Sequence, residues 1–146
     1  MIRLATDADL AAIERLVAEA YSAWIPRIGR RPAPMDDDYG ALIAAGQVHV
    51  AGADTVLGLL VLIPEPDTLL LDNIAVAPSA QGQGIGRLLL GFAENEAKRL
   101  ALPAIRLYTN EKMTENIALY LRHGFVETHR ARQAGHNRVF MRKALR

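Results

Sequence analysis

Apolar residues recur along this chain with two different periods, and the switches between them divide it into elements. From about Ala8 to Ser22, Ile13, Leu16, Val17 and Ala20 fall three and four residues apart, with Glu14, Arg15 and Glu19 turned the other way. That spacing predicts a helix with one apolar face. Ile2 to Ala5 reads as a short strand before it, and Thr6-Asp-Ala-Asp9 opens the helix. Pro26, Pro32 and Pro34 interrupt the stretch from Trp24 to Pro34 and predict no regular element there. A short helix follows from Asp36 to about Ala45, with three aspartates where carboxylates complement the helix dipole, and Gly46 ends it.

Strand-like runs then dominate. Gln47 to Ala51 and Thr55 to Ile63 flank the turn residues Gly52-Ala53-Asp54 and predict a hairpin. Thr68 to Val76 is a third strand, followed by a helix reaching about Leu100, a strand from Ala104 to Thr109 and a helix from Thr114 to Arg122. Phe125 to Arg130 and Arg138 to Arg142 close the chain as strands. The fold class expected is a mixed α/β (α+β) sheet, mostly antiparallel, with helices on both faces, in one domain over residues 1–146.

Between the third strand and its helix the pattern changes character. Pro78 closes the strand, and glycines stand at 82, 84 and 86. Residues without Cβ can take positive φ and turn backbone N–H groups outward. The first turn of the helix adds unpaired N–H groups and the positive end of its dipole, so the junction can seat a phosphate or pyrophosphate. It is not a dinucleotide fingerprint: counted from Gly82, the third glycine would fall at Arg87, and no acid lies in the neighbourhood Pro103-Ala-Ile-Arg106. Nor is it a nucleotide P-loop, because Gly86 is followed by Arg87 and Leu88 rather than Lys and Ser/Thr.

Composition narrows the classes. An apolar content of 51% with 23% charged residues is that of a globular protein. No run approaches the roughly 18 apolar residues of a membrane span, and the start of the chain lacks the layout of a secretory signal. Without cysteine there is no disulfide, thiolate metal site or cysteine nucleophile, which suits a cytoplasmic setting. Histidines 49, 123, 129 and 136 do not fall at zinc-site spacing, so no metal is expected. The net charge of +1 hides an asymmetry: 5 Lys/Arg against 11 Asp/Glu up to Asn73, then 12 against 5 from Ile74 onward. A basic second half fits a partner with several phosphates and an acidic first half fits a cationic amine, although two solvated surfaces would read the same way. Basic residues are not interleaved with aromatics, which argues against nucleic acid.

The loop Gln81-Gly82-Gln83-Gly84-Ile85-Gly86 resembles the (Arg/Gln)-x-x-Gly-x-(Gly/Ala) loop of the GNAT superfamily of N-acyltransferases. Two further stretches are similar to the same family: Ile117-Ala-Leu-Tyr-Leu-Arg-His-Gly-Phe125, with Tyr120 ahead of Gly124-Phe125, and the opening strand and helix. The resemblance spans nearly the whole chain. It implies that Gln81, Gly82, Gln83, Gly84, Ile85, Gly86 and Arg87 cradle the pyrophosphate of acetyl-CoA. It also implies that the backbone of Ile74, Ala75 and Val76 pairs with the pantetheine arm and points an N–H at the thioester carbonyl, where negative charge develops. Tyr120 becomes the candidate donor to the departing sulfur, against the alternative of a tyrosine that only packs its ring on the core. The pattern of Ile117, Leu121 and Phe125 supplies a core face without it. One position departs from the family: the asparagine expected seven residues before the tyrosine is Met113, while Asn116, one helical turn before Tyr120, can substitute.

Asp72 and Asn73 interrupt an otherwise apolar strand. A carboxylate there must be hydrogen-bonded, open to a cleft, or raised in pKa. It is either satisfied locally or lines the acceptor cleft, where it attracts an ammonium or removes its proton. Acceptor specificity is expected in Tyr21 to Tyr39, which carries Trp24, Arg27, Arg30, Arg31 and Asp36 to Asp38. That stretch reads as a lid beside the cleft or as a wrap over a sheet edge, and its arginines could bind an acceptor carboxylate. The function expected is transfer of an acetyl group to a primary amine of a small molecule or peptide by direct attack, with a homodimer allowed. The alternative is a non-catalytic acyl-CoA sensor, which would have no need of Tyr120 or Asp72.

Overall fold

The computed structural model describes residues 1–145. Among them, seven strands form one sheet: β1 (Ile2–Leu4), β2 (Val48–Ala51), β3 (Gly58–Pro64), β4 (Leu69–Val76), β5 (Ala104–Asn110), β6 (Val126–Gln133) and β7 (His136–Ala144). Their order is β1-β2-β3-β4-β5-β7-β6, antiparallel throughout except for β4 beside β5. The helices are α1 (Leu10–Tyr21), α2 (Ile25–Ile28), α3 (Tyr39–Ala44), α4 (Ile85–Arg99) and α5 (Thr114–Arg122). None is long and apolar enough to cross a membrane.

Strand alternation sorts the core into two layers. Ile13, Leu16 and Val17 of α1 and Ile43 of α3 pack on Val48, Val50, Leu59, Val61 and Ala75. On the opposite face, Leu89, Leu90, Ala93 and Ala97 of α4 and Tyr120 of α5 pack on Leu60, Leu62, Leu71, Ile105, Leu107, Val139 and Met141. The helices therefore cover both faces, as the pattern predicts. Gly58 permits the close approach of α4: a Cβ there would lie 2.9 Å from Ile85 Cγ2 and 3.1 Å from Leu89 Cδ1.

Two expectations change. The proline-rich stretch contains the one-turn helix α2, because Pro26 stands in its first turn, where no N–H is required. On α5, Leu121 is exposed, and the buried positions are Met113 at the cap and Tyr120, with Ile117 partly buried between them. The inward face thus runs 113-117-120, and Tyr120 belongs to it.

Two irregularities in β4 open the sheet. Leu71 pairs with Leu62 and Asn73 with Val61, so Asp72 is an extra residue with no partner on β3. Such a bulge bends its strand and re-aims a side chain. It places Leu71 and Ile74 against the α4 and α5 layer while Asn73 bonds into the α1 layer. The second irregularity follows at once: β4 pairs with β5 only at Leu69–Ile105 and Leu70–Arg106. Beyond that point the two parallel strands part, and the edge of β4 from Leu71 to Val76 that faces β5 has no strand partner.

Candidate active site

Two cavities occupy the gap between the parted strands. One, of about 370 Å³, is a groove walled by Ile74, Ala75 and Val76 of β4, by Gln81 and Gly86, and by Asn116 and Tyr120 of α5. The other, of about 120 Å³, lies under the segment 22–38, which crosses the open end of the sheet as a strap. Ile74, Tyr21, Asn116 and Tyr120 line both, so the two spaces meet at these residues.

The loop groove ends on the glycine turn. A single turn over Pro78–Ala80 leads into Gly82 at φ +83° and Gly84 at φ +81°, with Gly84 capping α4. Among the described residues, the N–H groups of 82 to 87 have no hydrogen-bond partner in the protein, and no side chain caps the helix. Six consecutive donors at a helix N-terminus form an anion seat. Gln81, Gly82, Gln83, Gly84 and Arg87 are exposed, and Ile85 and Gly86 are partly so. A Cβ on Gly82 or Gly84 would meet nothing within 4 Å, so these glycines serve backbone conformation rather than tight packing. A phosphate-bearing group fits this turn, and an extended arm fits the unpaired edge of β4.

Tyr120 is 6% exposed, and its ring meets Phe125 edge-on at 5.9 Å. Among the described residues its hydroxyl has no hydrogen-bond partner, and burial pushes its pKa well above the ordinary value. A phenol in that state is protonated at neutral pH and has a donor to spare. Asn116 is beside it, its amide 3.9 Å from the Met113 sulfur, and Thr109 Oγ1 donates to the same sulfur at 3.5 Å. Met113 is buried beneath this pair, so the departing position is a packing residue and Asn116 is the amide that reaches the groove.

The strap cavity is lined by side chains from distant segments. Asp72 accepts a hydrogen bond from Tyr108 at 3.2 Å. Burial raises its pKa, while the bond from Tyr108 and the charges of Arg138 and Arg106 work against the rise. All three outcomes considered for this carboxylate hold together: it is bonded, it faces a cleft, and its pKa is raised. Asp37 reaches the same cavity from the strap. Burial pushes it up to about 6, with help from the negative charges of Asp72 and Asp36, and its exposed edge lets water temper the shift. His136 is buried and bonded to Asn110 at 3.3 Å, and burial lowers its pKa. The Arg138 guanidinium lies 4.4 Å over the Tyr108 ring and donates to Gln133 at 3.2 Å.

A polar network fixes this arrangement. Tyr21 donates to Asn73 Oδ1 and approaches the Ile74 carbonyl at 3.1 Å, while Asn73 Nδ2 donates to Tyr39 at 2.9 Å and Tyr39 donates to the Pro34 carbonyl. The sheet thereby holds the strap by its proline turn. Arg27 clamps Glu115 through bonds of 2.7 and 3.0 Å, Arg30 donates to the Gly135 carbonyl at 3.0 Å, and Arg31 pairs with Asp36 at 2.9 Å. The three arginines considered for an acceptor carboxylate are thus all engaged as fastenings. The adjacent aspartates separate in the same way: Asp36 pairs with Arg31, Asp37 enters the cavity, and Asp38 caps α3 through the Ala41 N–H at 3.0 Å.

The residues expected to hold the donor or to act on it, and Asp72, lie along these two spaces or on the glycine turn at the end of the groove, whereas Arg27, Arg30, Arg31, Asp36 and Asp38 of the strap line neither space. Asp37 was expected only as one of Asp36 to Asp38 in the strap, and Tyr108, Asn110, His136 and Arg138 were not among those expectations. The signal for these four is the alternation of polar residues at 106, 108 and 110 and at 136 and 138, which puts one polar stripe on the strap side of β5 and β7.

Comparison with known proteins agrees with this geometry. A family model described as "Acetyltransferase (GNAT) domain" matches residues 44–127. The chain is 32% identical over 94 residues to the uncharacterized N-acetyltransferase YvbK of Bacillus subtilis, covering 63% of this chain and 61% of that protein. It is 32% identical over 83 residues to the mycothiol acetyltransferase of Jonesia denitrificans, covering 56% of this chain and 26% of that protein. The matched stretches thus span less than two thirds of these curated relatives. Among solved structures, the PaiA N-acetyltransferase of Thermoplasma acidophilum in complex with coenzyme A superposes with a TM-score of 0.77 at 21% identity, covering 99% of this chain and 98% of that one. At that identity the likeness establishes the shared fold.

Proposed function

The chain belongs to the GNAT acetyltransferase family, and from that premise we propose that it is an N-acetyltransferase using acetyl-CoA. The acceptor is a primary amine of a small molecule or peptide, attacking directly in a ternary complex. The observation that carries the reading is the run of six unpartnered N–H groups at 82 to 87, joined by one groove to a buried tyrosine with a free hydroxyl. The donor seat and the candidate proton donor lie on one continuous path.

The residues divide the work. Acetyl-CoA, when bound, supplies an activated acetyl carbonyl. Gln81 to Arg87 hold its pyrophosphate, and the free edge of Ile74, Ala75 and Val76 orients the arm and stabilises the carbonyl oxygen as it gains negative charge. Asn116 contacts the arm from α5. Asp72 attracts the acceptor ammonium and takes a proton from it, directly or through water, and the rise of its pKa on burial makes it a better proton acceptor than an exposed carboxylate. The nitrogen forms a bond to the carbonyl carbon as the carbon–sulfur bond breaks, and Tyr120 donates to the sulfur. No cysteine is available for a covalent route, and Thr109, a hydroxyl of the strap cavity, is turned to the Met113 sulfur. The cysteine-free composition also supports a cytoplasmic setting within this proposal.

A thiol-release assay with acetyl-CoA and a panel of amines tests the activity. Binding is tested by heat denaturation, since a ligand specific for the folded state raises apparent stability by RT ln(1 + [L]/Kd). No thermal shift with millimolar coenzyme A would refute the donor site. A clear shift with no thiol release across the panel would favour the sensor reading.

A further inference from the structure

Asp37 is the carboxylate of the strap cavity for which the reaction above has no task. Among the described residues it makes no hydrogen bond and no ion pair, although Arg31, Asp36 and Asp38 around it are all engaged. It lines the same cavity as Asp72 but at the solvent end, because Asp37 keeps an exposed edge while Asp72 lies deeper on the bulge of β4. Asp72 likewise has no ion-pair partner, only the hydroxyl of Tyr108. Tyr120 points to a ligand independently: a phenol 6% exposed, whose hydroxyl has no partner among the described residues, lines this cavity where it meets the groove.

Resting on the reading of this cavity as the acceptor site, we infer that the acceptor is a dicationic amine, its reacting nitrogen against Asp72 and a second positive group against Asp37. The balance of charge supports this. Among the described residues Arg138 is the one Lys or Arg that lines the cavity, held by the Tyr108 ring and Gln133, and its single charge is shared by both carboxylates; Arg106, which also acts on Asp72, is paired with Glu65. His136 adds no positive charge near neutrality, since burial and the nearby Arg30, Arg138 and Arg132 keep it neutral. Arg30 itself is tied to the Gly135 carbonyl. A carboxylate on the acceptor would face Asp37 or Asp72 and be repelled, whereas a second ammonium meets an unused acceptor at the mouth.

Calorimetric titration separates these cases. Protein saturated with coenzyme A, and protein without it, is titrated with 1,4-diaminobutane, butylamine and 4-aminobutanoate, which share a chain and differ at the far end. The diamine is expected to bind roughly tenfold or more tightly than butylamine, the gain of one added charge-assisted contact, and 4-aminobutanoate more weakly than either. Asp37→Asn should bring the diamine down to the affinity of butylamine, while Asp72→Asn should weaken both. Raising the salt should erode the diamine's advantage in the unmodified protein, a readout that needs no variant. Equal binding of diamine and monoamine, tightest binding of 4-aminobutanoate, or a preference that survives Asp37→Asn would overturn the inference. Failure of coenzyme A to bind would overturn the acetyltransferase reading instead, and titration of the free protein would still decide the charge preference.

Discussion

In the loop groove most of the polar groups without a protein partner belong to the backbone, whereas in the strap cavity the polar groups are side chains. In the groove, the working atoms are the N–H groups of 82 to 87 and the unpaired edge of β4, contributed by one short stretch of chain. In the strap cavity, Asp37, Asp72, Tyr108, His136 and Arg138 come from the strap, β4, β5 and β7, and each depends on another element for its place. The first site is tolerant of side-chain identity wherever the backbone conformation survives. The second depends on charge and reach, so under the proposed function changing one residue there should change which amine fits. The two spaces share only Tyr21, Ile74, Asn116 and Tyr120, so most side chains of the strap cavity lie outside the groove.

Tyr120→Phe tests the junction and carries the largest expected effect. The hydroxyl has no partner to strand, so stability should stay close to that of the unmodified protein, while kcat falls roughly 10²-fold or more and acetyl-CoA affinity holds. Steady-state kinetics and a thermal melt check it. A raised KM with unchanged kcat would move Tyr120 from the shared junction to the donor side alone, and full activity would remove it from the chemistry.

Gly84→Val tests the backbone plan. The site has room for a side chain, but φ +81° is a conformation a β-branched residue adopts only at a cost of about 1–2 kcal/mol. The loop should reshape while the fold persists, weakening coenzyme A roughly tenfold. Calorimetry should show the loss on the donor side with amine affinity unaltered. An equal loss for both ligands would mean that the two regions are one unit.

A smaller effect should appear in the pH dependence of stability. Asp37 titrates at about 6 in the folded protein against 3.8 for a free aspartate. The folded state therefore binds more protons between those values, and stability falls as pH rises through that window. Burial sets most of that shift, the charges of Asp72 and Asp36 add to it and Arg138 opposes it. Asp37→Asn should flatten the profile between pH 4 and about 6 in denaturant melts, and an unchanged slope would place the burden on Asp72. The smallest effect is expected for Arg27→Ala. This pair with Glu115 is exposed on both sides, and such bridges contribute little. The melting temperature should hardly move, leaving the strap fastened by Tyr39, Asn73 and Arg30. A clear loss of acceptor affinity would make the bridge part of the acceptor site.

Helix α5 runs over Thr114–Arg122, the range expected from the sequence. The strands were legible to within a few residues, with β6 and β7 running further than their apolar content suggests, since pairing with each other extends them. Leu121 was misplaced because period alone cannot tell which of two adjacent apolar positions turns inward. The strap was legible only as irregular, and the opposite fates of Asp36, Asp37 and Asp38 had no local sign.

By itself the amino-acid sequence determined the elements, the glycine turn with its row of donors, and the position of Tyr120 ahead of Gly124-Phe125. These depend on backbone preferences and spacing within a few residues. The tertiary structure alone decided that β4 and β5 part after two pairs of residues, that Asp72 is the bulged residue, and that Asp37 meets it across one cavity. Strand pairing and burial act between residues dozens of positions apart. A carboxylate's partners, exposure and pKa therefore come into being only when those segments are brought together.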